Sequence, residues 1–167
     1  MKKLSIEIKW ALIFVAMMLI WMVFEKSMGW HDEKIADHAT YTNLVAIPSI
    51  LIYVLALRDK KKNFYGGYLS FKQGFVSGMI ITLIVAMLTP LSQYITSTYI
   101  TPDYFSNVIE YSVSTGIMER SAAEEFFNLK SYIIQATIGA FIMGLITSLV
   151  VAFLVKSKKG TPMPSAS

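Results

Sequence analysis

The residues best suited to chemistry lie close together near the N-terminal end of the chain. His31 and His38, its two histidines, share one short stretch with Asp32, Glu33 and Asp37. Imidazoles and carboxylates are donors for divalent cations. Their spacing here matches no recognised site, so neither a metal nor a cofactor is expected. There is no cysteine, which excludes disulfides, thiolate metal sites and a Cys nucleophile. Four runs carry no charge: Trp10–Phe24, Ala39–Leu57, Gln73–Pro102 and Ser131–Val155. None has Asp, Glu, Lys, Arg or His in its central part, so no buried acid–base pair is expected there. A proton relay or charged filter is disfavoured for the same reason. The polar groups left in the runs, Asn43, Thr82, Thr89, Gln93, Gln135, Thr137 and Thr147, are read as interhelical hydrogen-bonding groups. No catalytic residue is assigned, and an enzyme is not expected.

The elements that must position these groups are membrane spans. Of 167 residues, 54% are hydrophobic and 16% charged, against about 45–50% apolar and about 25% charged in a soluble domain. Charges cluster between the uncharged runs. This distribution excludes a water-soluble globule, a nucleic-acid-binding face and a disordered chain. Crossing a bilayer takes about 20 apolar residues in a helix, and each run meets that length or approaches it. The fold expected is all-α, an integral membrane four-helix bundle with spans near 7–29, 39–57, 71–100 and 129–155. It forms one transmembrane domain over 1–159, followed by a flexible tail at 160–167. The first span is the shortest and relies on Lys9 snorkelling and on Met28–Trp30. A cleaved signal peptide is the rival reading there. Glu7, Glu25-Lys26 and two tryptophans argue for a helix that stays.

Lys and Arg set the orientation. Lys2, Lys3 and Lys9, then Arg58, Lys60, Lys61, Lys62 and Lys72, then Lys156, Lys158 and Lys159 fall on one side, leaving Lys26, Lys34, Arg120 and Lys130 on the other. The positive-inside rule puts both termini and the middle loop in the cytoplasm. The acids lie mainly outside, except Glu7 and Asp59. Trp10, Tyr65 and Tyr68 fall near the inner interface, and Trp30, Tyr41, Tyr99 and Tyr132 near the outer one. In the basic middle loop, Arg58, Lys60, Lys61, Lys62 and Lys72 are read as topology determinants touching lipid headgroups.

The loop 103–130 is expected to be a helical, extracytoplasmic connector. Phe105, Val108, Ile109 and Ser112 or Val113 repeat at helical spacing. Ser121-Ala122-Ala123-Glu124 reads as a capping box, opening a helix that continues through Lys130 into the last span. Pro48 is expected to kink the second span, and Gly66-Gly67 to turn into the third.

Small residues form the sharpest pattern. Gly74, Gly78, Thr82 and Ala86 follow Ser70 at every fourth position, and Ala136, Ala140, Gly144 and Ser148 lead to Ala152. Residues at i and i+4 share one helix face, and such seams are where helices pack in lipid. Packing between the third and fourth spans is expected ahead of homodimerisation.

The stretch Gly66-Gly67-Tyr68-Leu69-Ser70-Phe71-Lys72-Gln73-Gly74-Phe75, leading to Gly78, and the later Tyr99-Ile100-Thr101-Pro102-Asp103-Tyr104 resemble a bacterial membrane family, the domain of unknown function 4199. The resemblance implies a chain of similar length, with a short first span and an acidic helical loop before the last. It implies no activity, ligand or catalytic residue. The function expected is that of a non-enzymatic accessory or structural membrane protein, acting through helix packing or its outer loop. The alternative is a subunit of an oligomeric transporter or channel. Expected partners are membrane lipids, with a second copy or another membrane protein possible, and no nucleic acid.

Overall fold

The computed structural model describes residues 4–158; the tail 160–167 and the charges of Lys2, Lys3 and Lys159 lie outside the described residues. Seven α-helices and no strand occur among the described residues: α1 Ser5–Ser27, α2 Ile35–Tyr41, α3 Ala46–Asn63, α4 Phe71–Ile95, α5 Tyr104–Ser114, α6 Arg120–Phe126 and α7 Leu129–Val155. A 3₁₀ turn over Thr42–Val45 joins α2 to α3, and a π turn over Thr96–Ile100 prolongs α4. Four helical stretches are long and apolar enough to cross a membrane: Ser5–Ser27, Ile35–Asn63, Phe71–Ile100 and Leu129–Val155. Many of their large side chains are exposed, among them Ile20, Met87 and Leu154 at 69%, 79% and 67%. An apolar surface of this kind suits lipid, where the backbone polar groups must be satisfied within each helix.

Local chemistry explains the breaks. Gly29 has φ +77°, and its N–H bonds the Lys26 carbonyl while the Trp30 N–H bonds that of Glu25. This pair of reversed bonds is a Schellman motif. It ends α1 and folds the chain back over the last turn. Pro48 lies in the first turn of α3, so the expected kink takes another form. The proline ring crowds the carbonyl four residues earlier, at Leu44, and that residue lies in the 3₁₀ turn. Gly66 and Gly67, at φ +60° and +96°, make the turn between α3 and α4.

The connector after α4 differs from expectation in two respects. Helix α6 starts at Arg120 with Glu119 extended before it and no side-chain cap, so Ser121 is already helical and no capping box forms. Nor does α6 run into the last span. Asn128 Oδ1 accepts the Ser131 N–H at 3.0 Å, and an asparagine that caps a new helix competes with continuation of the old one. Helix α5 buries Tyr104, Val108 and Ser112. Its exposed Glu110 meets Arg120 at 2.8 Å, a solvent-exposed pair that water and salt screen.

The chain separates into two compact units. One takes the chain up to Phe14, Ile47–Met87 and the chain from Gly139; the other takes Val15–Ala46 and Leu88–Ile138. In the first, Leu57, Ile81, Val151 and Ala152 are almost fully buried. Phe14 meets the Tyr53 ring edge-on at 5.8 Å. The Tyr53 hydroxyl lies 2.8 Å from Thr82 Oγ1, which in turn lies 3.3 Å from Ser148 Oγ.

Candidate functional site

Each unit holds one buried cluster of ionisable side chains, and neither is evident from spacing along the chain. In the first, Glu7 of α1, Lys60 of α3 and Ser77 of α4 are 1%, 3% and 3% exposed. The Lys60 ammonium lies 2.9 Å from Glu7 Oε1 and 3.0 Å from Oε2. The Ser77 hydroxyl donates to Oε1 at 2.7 Å. Lys60 also lies 3.8 Å from the Phe64 ring centre, close enough for a cation–π attraction. Beside this group, Asp59 accepts bonds from Lys9, from Trp10 Nε1 at 2.7 Å and from Asn63 Nδ2 at 2.7 Å. Three helices are thus fastened by charge-assisted hydrogen bonds, which are roughly twice as strong as neutral ones.

The basic loop residues therefore divide. Arg58, Lys62 and Lys72 are exposed, as headgroup contact requires. Lys60 is not, because its partner Glu7 draws it inward. Lys61 is half-buried and donates to the Val155 carbonyl at 3.1 Å, satisfying one of the carbonyls left open at the end of α7.

The small-residue positions also divide. A Cβ added at Gly74 would meet Ala152 Cβ at 3.2 Å, one at Gly78 would meet Ser148 Oγ at 2.7 Å, and one at Gly144 would meet Thr82 Oγ1 at 2.6 Å. Helices α4 and α7 thus meet through Gly74, Gly78, Thr82, Gly144 and Ser148, with Ala86 buried as well. Ala136 and Ala140 are only half-buried.

In the second unit, the Schellman turn carries His31 back onto Glu25. Glu25 is fully buried and His31 is 4% exposed. Glu25 Oε1 accepts Trp21 Nε1–H at 2.6 Å, and the Thr42 hydroxyl bonds the same carboxylate. Oε2 faces both imidazoles, 3.0 Å from His31 Nε2 and 3.8 Å from His38 Nδ1. Helix α2 supplies His38, and α5 supplies Tyr104, whose ring centre lies 5.2 Å from that of each histidine. Asn107 Nδ2 donates to the His31 carbonyl at 3.0 Å, which holds the turn to α5. Burial, reinforced by the neighbouring Tyr132 phenol and the Glu25 charge, pushes the Tyr104 phenol well above its usual range, so it stays neutral. The Nδ1 atoms of His31 and His38 are both buried without a hydrogen-bond partner. A cavity of about 20 Å³ beside His31 is lined by Lys26, Asp32, Thr101, Pro102, Asp103, Tyr104 and Asn107, room for about one water.

Asp32, Glu33 and Asp37, the acids nearest the histidines in sequence, are exposed. Glu25 takes their place. Sequence reasoning missed Glu25; the signal that could have found it is Gly29, since a glycine just past a helix end reverses the chain and brings residues two beyond it over the last turn.

A family model described as protein of unknown function (DUF4199) matches residues 9–157. A comparison with curated proteins found no match, and neither did one with solved structures.

Proposed function

The chain belongs to the DUF4199 family, and from that premise we propose that it is a multi-pass protein of the bacterial inner membrane with a non-enzymatic, accessory or structural role. In this reading both termini and the basic 58–72 loop are cytoplasmic. It acts through helix packing or through the segment 103–130, with lipid, a second copy or another membrane protein as partner. One observation carries the reading. The long helices turn broad apolar faces outward, while in the first unit Glu7 is matched to Lys60 and Ser77, and Thr82 to Tyr53 and Ser148. Side chains engaged in this way hold helices together and do not need a substrate to satisfy them.

The asymmetry of Lys and Arg supports the orientation, and fusions test it. Alkaline phosphatase joined after Lys62 or Lys159 should be inactive, and joined after Ser114 active. Activity at the two lysine sites overturns the orientation. Liposomes containing the purified chain alone should show no ion or solute flux above protein-free liposomes. Flux that requires the chain overturns the accessory role in favour of a transport subunit.

A further inference from the structure

We propose that Glu25, His31 and His38 form a binding site for a divalent first-row transition-metal cation, with zinc the best match. Three observations converge. The donor set is two imidazoles and one carboxylate, and one donor atom from each residue lies within 4.8 Å of the others. Around tetrahedral zinc, ligand bonds of about 2.0–2.2 Å place neighbouring donors about 3.3 Å apart. The separations from Glu25 Oε2, 3.0 Å and 3.8 Å, bracket that value, and the two histidine donors, within 4.8 Å of each other, would draw together around the ion.

The donors are also held from behind. Trp21 occupies Oε1 of Glu25 and leaves Oε2 to the two histidines. Tyr104 packs against both imidazoles, and Asn107 anchors the His31 backbone. Of these, the Trp21 bond to the ligating carboxylate is the kind of outer hydrogen bond that orients ligands at metal sites, where its loss weakens binding by about 10–100-fold.

The third observation is the orphaned histidine nitrogen. His38 Nδ1 is buried, has no hydrogen-bond partner and stands 3.8 Å from Glu25 Oε2, beyond hydrogen-bonding reach. A cation between them takes the nitrogen lone pair and one carboxylate lone pair together. Both imidazoles bind as neutral ligands, each keeping one proton on the ring nitrogen away from the cation and releasing a second proton if it carries one. Three protein donors leave one tetrahedral position for water or another small ligand.

The test uses the full chain in detergent, purified without a polyhistidine tag and stripped with a chelator. Zinc chloride is titrated against a chromophoric zinc indicator, and cobalt(II) reports geometry through its visible absorption. One zinc per chain is expected, with an intense tetrahedral cobalt spectrum. Glu25→Gln and His38→Asn should each weaken zinc at least about tenfold, and Asp37→Asn should not. His38 is 21% exposed, so His38→Asn keeps the comparison open if Glu25→Gln fails to fold. Absence of zinc binding by the parent overturns the site, as does equal binding by His38→Asn. A melting temperature that follows pH but ignores zinc overturns it too, and assigns the three groups a shared proton instead.

Discussion

Lys60→Ala should lower the unfolding free energy in detergent by about 3–5 kcal/mol, the range for removing one partner of a buried ion pair. The variant leaves the Glu7 carboxylate 1% exposed with the Ser77 hydroxyl still donating but its cation gone. A carboxylate in that position is then buried without its counterion, which costs stability. For a chain of this length the shift in thermal midpoint is on the order of 10 °C. The pair need not be irreplaceable, since buried pairs exchanged for uncharged groups of similar volume are often neutral. Lys60→Met combined with Glu7→Gln should therefore recover most of the loss, because glutamine still accepts from Ser77 and methionine fills the stem's volume. Lys62→Ala, at an exposed position, should stay within about 0.5 kcal/mol of the parent. Thermal melts in one detergent decide the matter. A stable Lys60→Ala variant, or a double variant no better than the single, removes the pair from the account of stability.

Gly144→Ile should cost about 1–3 kcal/mol through overpacking, and Gly78→Ile a similar amount. The first carbon added at Gly144 would fall 2.6 Å from Thr82 Oγ1, and at Gly78 2.7 Å from Ser148 Oγ and 3.3 Å from its Cα. Thr82 cannot easily give way, because its hydroxyl also engages Tyr53 and the Gly78 carbonyl. The helices must part, and dispersion contacts along the seam are lost with them. Gly139 supplies the control on the same helix. A Cβ there meets nothing within 4 Å, so Gly139→Ala should be neutral or stabilising by up to about 1 kcal/mol. Equal midpoints for parent, Gly78→Ile and Gly144→Ile would show that the two backbones do not approach as described.

The all-helical character and the four membrane-long helices were legible because hydropathy is a local, additive property of the chain. A run such as Ser131–Val155 declares its length and apolarity without reference to any other residue. The family likeness was legible for a similar reason, as contiguous words such as Gly66-Gly67-Tyr68. Capping was less so. Ser121 and Glu124 have the right spacing for a box, but Glu119 and Asn128 define where α6 and α7 begin, since a cap forms only where the preceding residue leaves the helix.

What the sequence by itself determined is therefore the medium: four stretches too apolar for water, with charge confined to the segments between them. Only the tertiary structure decided which charges are solvated and which are matched. Lys60 stands among Arg58, Lys61 and Lys62 as one more basic loop residue, yet its partner lies 53 residues away at Glu7. Glu25 reads as the polar end of a span, yet it faces His31 and His38. The physical reason is that transfer from water to lipid is summed along the chain, whereas a hydrogen bond or ion pair requires two groups within about 3 Å. That distance is set by turns and helix registers distributed over the whole unit.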